Sequence, residues 1–400
     1  MGSWRNAYGR LGAAALVLAI AAGCTSSSAT WPPVRPSAVG PVASGVHVVV
    51  PDESGAHASQ PVASGAPRAT ATSATVDQIT ADYTYKSELI TPIAHLYGTF
   101  LDDFVIVTID NGNSSPVKVT VQSNIAGYTD KASDTVTVAA KGTEEIRQNP
   151  RLTQAGYDSL NSQHPAELSV VVSYLESGQP RTILDQTSET TITSRDDFPW
   201  TIKGFTQQEN YDLVVAMITP TDPSVNALIR TARNYDPSGA MTSGYDSDMD
   251  ANGTVAQRLS DIWQAEASDY KLAYISTPIT FASGSSQRIR LPGEVLDQSS
   301  GNCIELTLLY AAAVEFLGMQ PALVIVPGHA YVAVRIDGKN DSFYFIETTM
   351  IGSATFSEAL KEGLSEWQTA QPHVAQSEAD YGWVDVPEAR SNGIVPIPWR

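Results

Sequence analysis

From about residue 77 to 195, apolar and polar residues alternate in short runs, the signature of strands with one buried face. Residues 104–110 and 117–123 alternate on either side of Asn111-Gly112-Asn113, a cluster able to supply the positive φ angles of a hairpin turn. Residues 135–139 alternate as well, and 168–175 meets 181–184 across Ser177 and Gly178. Many short strands separated by turn signals predict a β-sandwich over residues 77–195. The chain has two cysteines, Cys24 and Cys303, so no inter-sheet disulfide is expected there.

Beyond residue 196 the period changes. Residues 225–235 suggest a short helix with Ser224 as its N-cap, and Val255, Leu259, Ile262 and Trp263 recur at helical spacing. Asn302 can cap a helix that starts at Cys303, with Glu305 reaching back as in a capping box. Cys303, Leu306, Tyr310, Val314 and Leu317 then trace an apolar face, and Gly318 stands where a C-cap glycine belongs. Residues 329–336 and 343–349 read as strands joined by a turn over 337–341. Further on come a helix over 356–367, a short strand over 383–386, and a proline-marked, irregular C-terminus. The expected class is α+β: a connecting region over 196–250 and a second domain over 251–400 follow the β-sandwich.

The N-terminus has its own texture. Arg5 and Arg10 precede an apolar run, residues 11–22, that is too short for a stable bilayer span. The run ends in Ala21-Ala22-Gly23-Cys24, which resembles a bacterial lipoprotein signal peptide over residues 1–24. That resemblance implies lipidation at Cys24, and acyl chains would supply the membrane affinity the polar chain lacks. Residues 25–76 are rich in Ser, Ala, Pro and Gly and repeat a five-residue motif at 41–45 and 61–65, as expected of a flexible linker. The net charge of -19 argues against a nucleic-acid partner.

Chemistry concentrates at Cys303. A thiol on the first turn of a helix meets free backbone N–H groups and the positive end of the helix dipole, which favour thiolate. The Cys303 amide is also a candidate oxyanion donor. A hairpin centred on Gly338 places His329 directly opposite Glu347, where the carboxylate can fix the imidazole tautomer. Asp385 is the reserve acid. In an exterior compartment a cysteine usually has a disulfide partner, and Cys303 has none once Cys24 is lipidated. One Cys, one His and one Glu lack the spacing of a zinc site, so no metal or other cofactor is expected.

Gly301-Asn302-Cys303, the helix through Leu317-Gly318-Met319, Pro327-Gly328-His329-Ala330-Tyr331-Val332 and Ile346-Glu347-Thr348-Thr349 together resemble the transglutaminase-like superfamily, within the papain-like α+β architecture. The resemblance covers about residues 250–350. It implies a Cys–His–acid triad carried over to Cys303, His329 and Glu347, with Glu where Asp is usual and Tyr331 where Trp is usual. It also implies a cell-surface cysteine peptidase, amidase or transamidase acting on a peptide or protein of the cell envelope. The alternative expectation is a catalytically silent scaffold on the same fold.

Overall fold

The computed structural model describes residues 68–70, 73–239, 241, 244–245, 254–276, 286–337 and 342–399. The expected signal peptide, Cys24 and most of the expected linker lie outside them. The N-terminal part runs β1 (Arg68–Thr70), β2 (Ala74–Val76), β3 (Ile79–Lys86), β4 (Glu88–Leu89), β5 (Val105–Asn111), β6 (Val117–Ile125), β7 (Ala132–Val138), β8 (Thr143–Gln148), α1 (Gln154–Ser159), β9 (His164–Glu176) and β10 (Gln179–Ile192).

These strands form two five-stranded sheets, one ordered β1-β3-β5-β8 with β2 also on β3, the other β4-β10-β9-β6-β7. Alternation decides which side chains are buried: Val105, Val107 and Ile109 in β5, and Leu168, Val170 and Val172 in β9, are fully enclosed. Among the described residues, strand pairing begins at Arg68, inside the stretch expected as linker, because β1 and β2 both pair with β3.

Two turn expectations fare differently. Ser177 and Gly178 both take positive φ and close the β9–β10 hairpin between Glu176 and Gln179. Asn111-Gly112-Asn113 closes no hairpin, since β5 belongs to one sheet and β6 to the other. The Asn111 amide there donates to the carbonyls of Ser115 and Ala139, each at 2.9 Å, and steers the chain between sheets.

The remainder comprises β11 (Asp197–Pro199), α2 (Gln207–Asp212), α3 (Pro223–Ala232), α4 (Thr254–Gln264), β12 (Ala273–Tyr274), β13 (Ser286–Arg288), α5 (Pro292–Gln298), β14 (Ser300–Gly301), α6 (Cys303–Phe316), β15 (Pro321–Val326), β16 (His329–Arg335), β17 (Phe343–Ile346), α7 (Phe356–Ala375), β18 (Gly382–Asp385) and α8 (Val386–Ser391). The cap of α3 is Asp222, whose carboxylate accepts from Ser224 N at 2.7 Å, so the predicted capping residue is the one being capped.

An antiparallel sheet ordered β17-β16-β15-β18 carries a helix on each face. Val332, Val334, Leu323, Ile325 and Ile346 join the core that contains α6. Tyr331, Ala333, Val324 and Phe345 face the other way and pack with Trp367 of α7. Phe345 and Trp367 stack at 4.9 Å. The chain is thus mixed α and β, with several sheets.

The C-terminal tail crosses back to the first two sheets. Trp399 stacks on Tyr157 at 5.4 Å and donates to the Leu152 carbonyl at 2.9 Å. His95, which the sequence leaves isolated, meets the Val395 carbonyl through Nε2 at 2.9 Å; burial pulls its pKa down to about 4.

Candidate active site

Helix α6 opens at Cys303 with the predicted cap fully formed. Asn302 Oδ1 accepts from Glu305 N at 3.1 Å, and Glu305 Oε2 accepts from Asn302 N at 3.0 Å. Arg290 grips the same carboxylate, its Nε at 2.9 Å from Oε1 and an Nη at 2.6 Å from Oε2. The Asn302 amide is therefore spent on the cap. The Cys303 N–H stays among the first-turn donors with no intrahelical acceptor.

Sequence predicts one apolar face for this helix, but residues 303–314 are buried on every side, including Glu305 and Thr307. Thr307 is accommodated by donating its hydroxyl to the Ala330 carbonyl at 3.1 Å, which ties α6 to the strand carrying His329.

His329 opens β16, and Glu347 lies one residue past the end of β17. Nε2 of His329 is 2.7 Å from Oε2 of Glu347. The other carboxylate oxygen accepts from Thr349 N at 2.9 Å and from the Thr349 hydroxyl. Cys303 acts on the same imidazole and helps raise its pKa. Cys303, His329 and Glu347 are thereby brought together. Cys303 itself is 0% exposed, and the imidazole is the part of the site that reaches the surface.

Burial opposes a charge on His329, yet its hydrogen bonds to Cys303 and Glu347 prevail and push the pKa up to about 10. Burial likewise works to raise Glu347, but the bond and charge of His329, together with the bonds from Thr349 and Glu366, outweigh it and hold the carboxyl below its ordinary range.

Asp385 is excluded as the acid. It binds Arg335 at 3.0 Å and caps α8, and the ladder sets it opposite Ala322, which pairs with Ala333 well along β16 from His329. Trp263 is core, packed against Phe356.

Sequence reasoning did not find Glu366, on α7, whose Oε2 lies 3.7 Å from His329 Nε2. It sits among Glu358, Lys361 and Glu362 on a helix that reads as a solvated charged face, so no local signal marks it. Among the described residues, the donor atoms of His329, Glu347 and Glu366 gather within 4.8 Å. The imidazole Nε2 and both Glu347 oxygens already have hydrogen-bond partners, so the cluster reads as a proton-sharing network.

Among the described residues, no helix is long and apolar enough to cross a membrane. No family model and no curated protein matches the chain. Among solved structures, a protein from Archaeoglobus fulgidus is similar at 8% identity and a TM-score of 0.19, over 32% of this chain and 94% of that one. A protein from Arabidopsis thaliana is 14% identical with a TM-score of 0.17, over 34% of this chain and 87% of its own. The Amycolatopsis orientalis exo-chitosanase CsxA is 13% identical with a TM-score of 0.18, over 62% of this chain and 31% of that enzyme. Superpositions this loose define no shared fold.

Proposed function

We propose that this is an exported lipoprotein, anchored through Cys24, in which a β-sandwich precedes a transglutaminase-like domain that performs thiol-dependent acyl transfer on peptide or amide bonds. The observation that carries the reading is the 2.7 Å contact between His329 Nε2 and Glu347 Oε2, with Cys303 acting on the same imidazole. The thiol starts a helix, the base opens a strand and the acid directly follows the next strand, as nucleophile, base and orienting acid require.

In the proposed reaction Cys303 starts as the thiolate, its proton already held on His329, and Sγ attacks the amide carbonyl carbon. The tetrahedral oxyanion is met by the Cys303 N–H. The imidazolium then protonates the departing amine as the C–N bond breaks, leaving a thioester on Cys303. Water, or a second amine, attacks the thioester with His329 as base and frees the thiolate. Hydrolysis of envelope peptides is the preferred outcome, since water is always available.

One observation favours the rival reading, a silent scaffold: the thiol has no exposed surface. A peptide-amide probe that traps thioesters decides between them. Labelling of the wild type that is lost in Cys303→Ala and strongly reduced in His329→Ala supports acyl transfer. Equal labelling of wild type and Cys303→Ala overturns it. Alkylation of Cys303 by iodoacetamide with an apparent pKa near the free value of about 8.5 favours the scaffold.

A further inference from the structure

Glu366 is held beside the triad by helix packing. Gly363 lets α7 approach the backbone of β17 so closely that a Cβ there would lie 2.7 Å from the Phe345 carbonyl carbon. Glu347 N donates to the Ala359 carbonyl of α7 at 3.1 Å. Residues 359, 363, 366 and 367 share one helix face, and Trp367 is clamped on Phe345. The Glu366 carboxyl therefore points at Glu347 and His329 from a fixed element. Its Oε2 is enclosed and accepts from no donor among the described residues.

Two ionised carboxylates can only accept hydrogen bonds, so side by side they repel. A proton on one of them turns that repulsion into an O–H···O⁻ bond. Glu347 is the carboxyl already satisfied as an anion, by His329 and Thr349. The proton belongs on Glu366.

We propose that Glu366 is a positioning residue of the site, holding a proton that it donates to Glu347 and so keeping the carboxyl pair behind His329 at a single negative charge. Its role in turnover rests on the acyl-transfer reading above; the shared proton does not. Burial first, and then the Glu347 charge, raise Glu366 to about 8. The groups that face it are Glu347 and His329 from the strands, Glu362 on its own helix, and the buried Tyr331 phenol of β16. Loss of the proton puts a second negative charge 3.7 Å from Nε2. The imidazolium then holds its proton more firmly and delivers it less readily to a leaving amine.

The test uses the full chain with glutamate labelled at the carboxyl carbon and histidine at the ring nitrogens, followed by NMR against pH. One glutamate is expected to titrate near the value of about 8, to vanish in Glu366→Gln, and to persist in Glu362→Gln. Glu366→Gln keeps the shape and a donor, and it is expected to lower the His329 titration by about one pH unit. No glutamate signal titrating above about pH 6.5 that vanishes in Glu366→Gln, or a His329 titration unmoved by Glu366→Gln, overturns the proposal. Neither readout needs a substrate. A shared proton in a protein that fails the thioester trap would leave the acid pair standing and remove only its catalytic use.

Discussion

His329 and Glu347 meet on a diagonal of the β16–β17 pair. The ladder joins Val332 to Ile346 and Arg335 to Phe343, so its continuation sets Tyr331, not His329, opposite Glu347. Diagonal neighbours on one face are about 7–8 Å apart at the backbone, within reach of long side chains only. Glu347 bridges that distance and closes to 2.7 Å. The glutamate thus follows from the register.

Shortening that acid is therefore expected to break the contact. Glu347→Asp should slow alkylation of Cys303 at mildly acidic pH by about tenfold, an effect of the size usual for a lost acid–base partner. Glu347→Gln keeps the reach without the charge, so it should lower the His329 titration and leave the fold intact. Stopped-flow alkylation alongside NMR of the imidazole measures both. An Asp variant as reactive as the wild type would remove the diagonal argument.

The helix cap gives a stability prediction. Asn302→Ala removes the acceptor for Glu305 N and should cost about 1–2 kcal/mol in urea unfolding. Glu305→Gln should cost about 2 kcal/mol, because it also deprives Arg290 of a charge-assisted partner. Since the cap fixes where the thiol sits, both variants should alter Cys303 alkylation as well as stability. A loss of stability with alkylation unchanged would separate the cap from the site.

How far the sequence could be read depends on whether a feature is local. The cap at Asn302 and Glu305 lies within four residues, and it forms as its spacing predicts. The observed β16–β17 register is displaced from the predicted one by two residues along one strand, an even step, so each side chain kept its face. That parity is why His329 and Glu347 were found despite the wrong partner. Features set by distant elements were invisible. Asn111-Gly112-Asn113 has the composition of a hairpin turn, but the Ser115 and Ala139 carbonyls divert the chain to the other sheet. Glu366 acquires its neighbour only when α7 docks on β17.

That docking depends on Gly363. A methyl group there meets the Phe345 carbonyl carbon and the Ile346 nitrogen at 2.7 and 2.8 Å, and backbone cannot rotate aside. Gly363→Ala should destabilise by about 1–3 kcal/mol, as overpacking does, even though Ala favours helix. It should also push Glu366 away from Glu347, so the glutamate titrating near 8 moves toward the ordinary value of 4.5. Calorimetry and carboxyl NMR on one variant would show both, and a more stable protein would contradict the close approach.

Buried ionisable groups set the pH dependence of the fold. Burial raises Asp212 to about 7, and burial with the Glu347 charge raises Glu366 to about 8. Glu266 is also pushed well up by burial. Between the ordinary carboxyl range and these values the unfolded chain releases protons that the folded chain keeps. The native state then binds more protons, and stability falls as pH rises. His329, raised to about 10, acts in the same direction above its ordinary 6.5. His95 acts oppositely: held at about 4, it stays neutral where the unfolded chain is protonated, so stability falls as pH drops below 6.5. The midpoint of thermal unfolding should therefore peak at about pH 5 to 6 and decline by several degrees toward about pH 8.5. Asp212→Asn and Glu366→Gln should each flatten the alkaline decline, while His95→Gln should flatten the acid one. A midpoint that rises steadily from about pH 5.5 to 8.5 would mean that these carboxyls ionise freely in the folded protein.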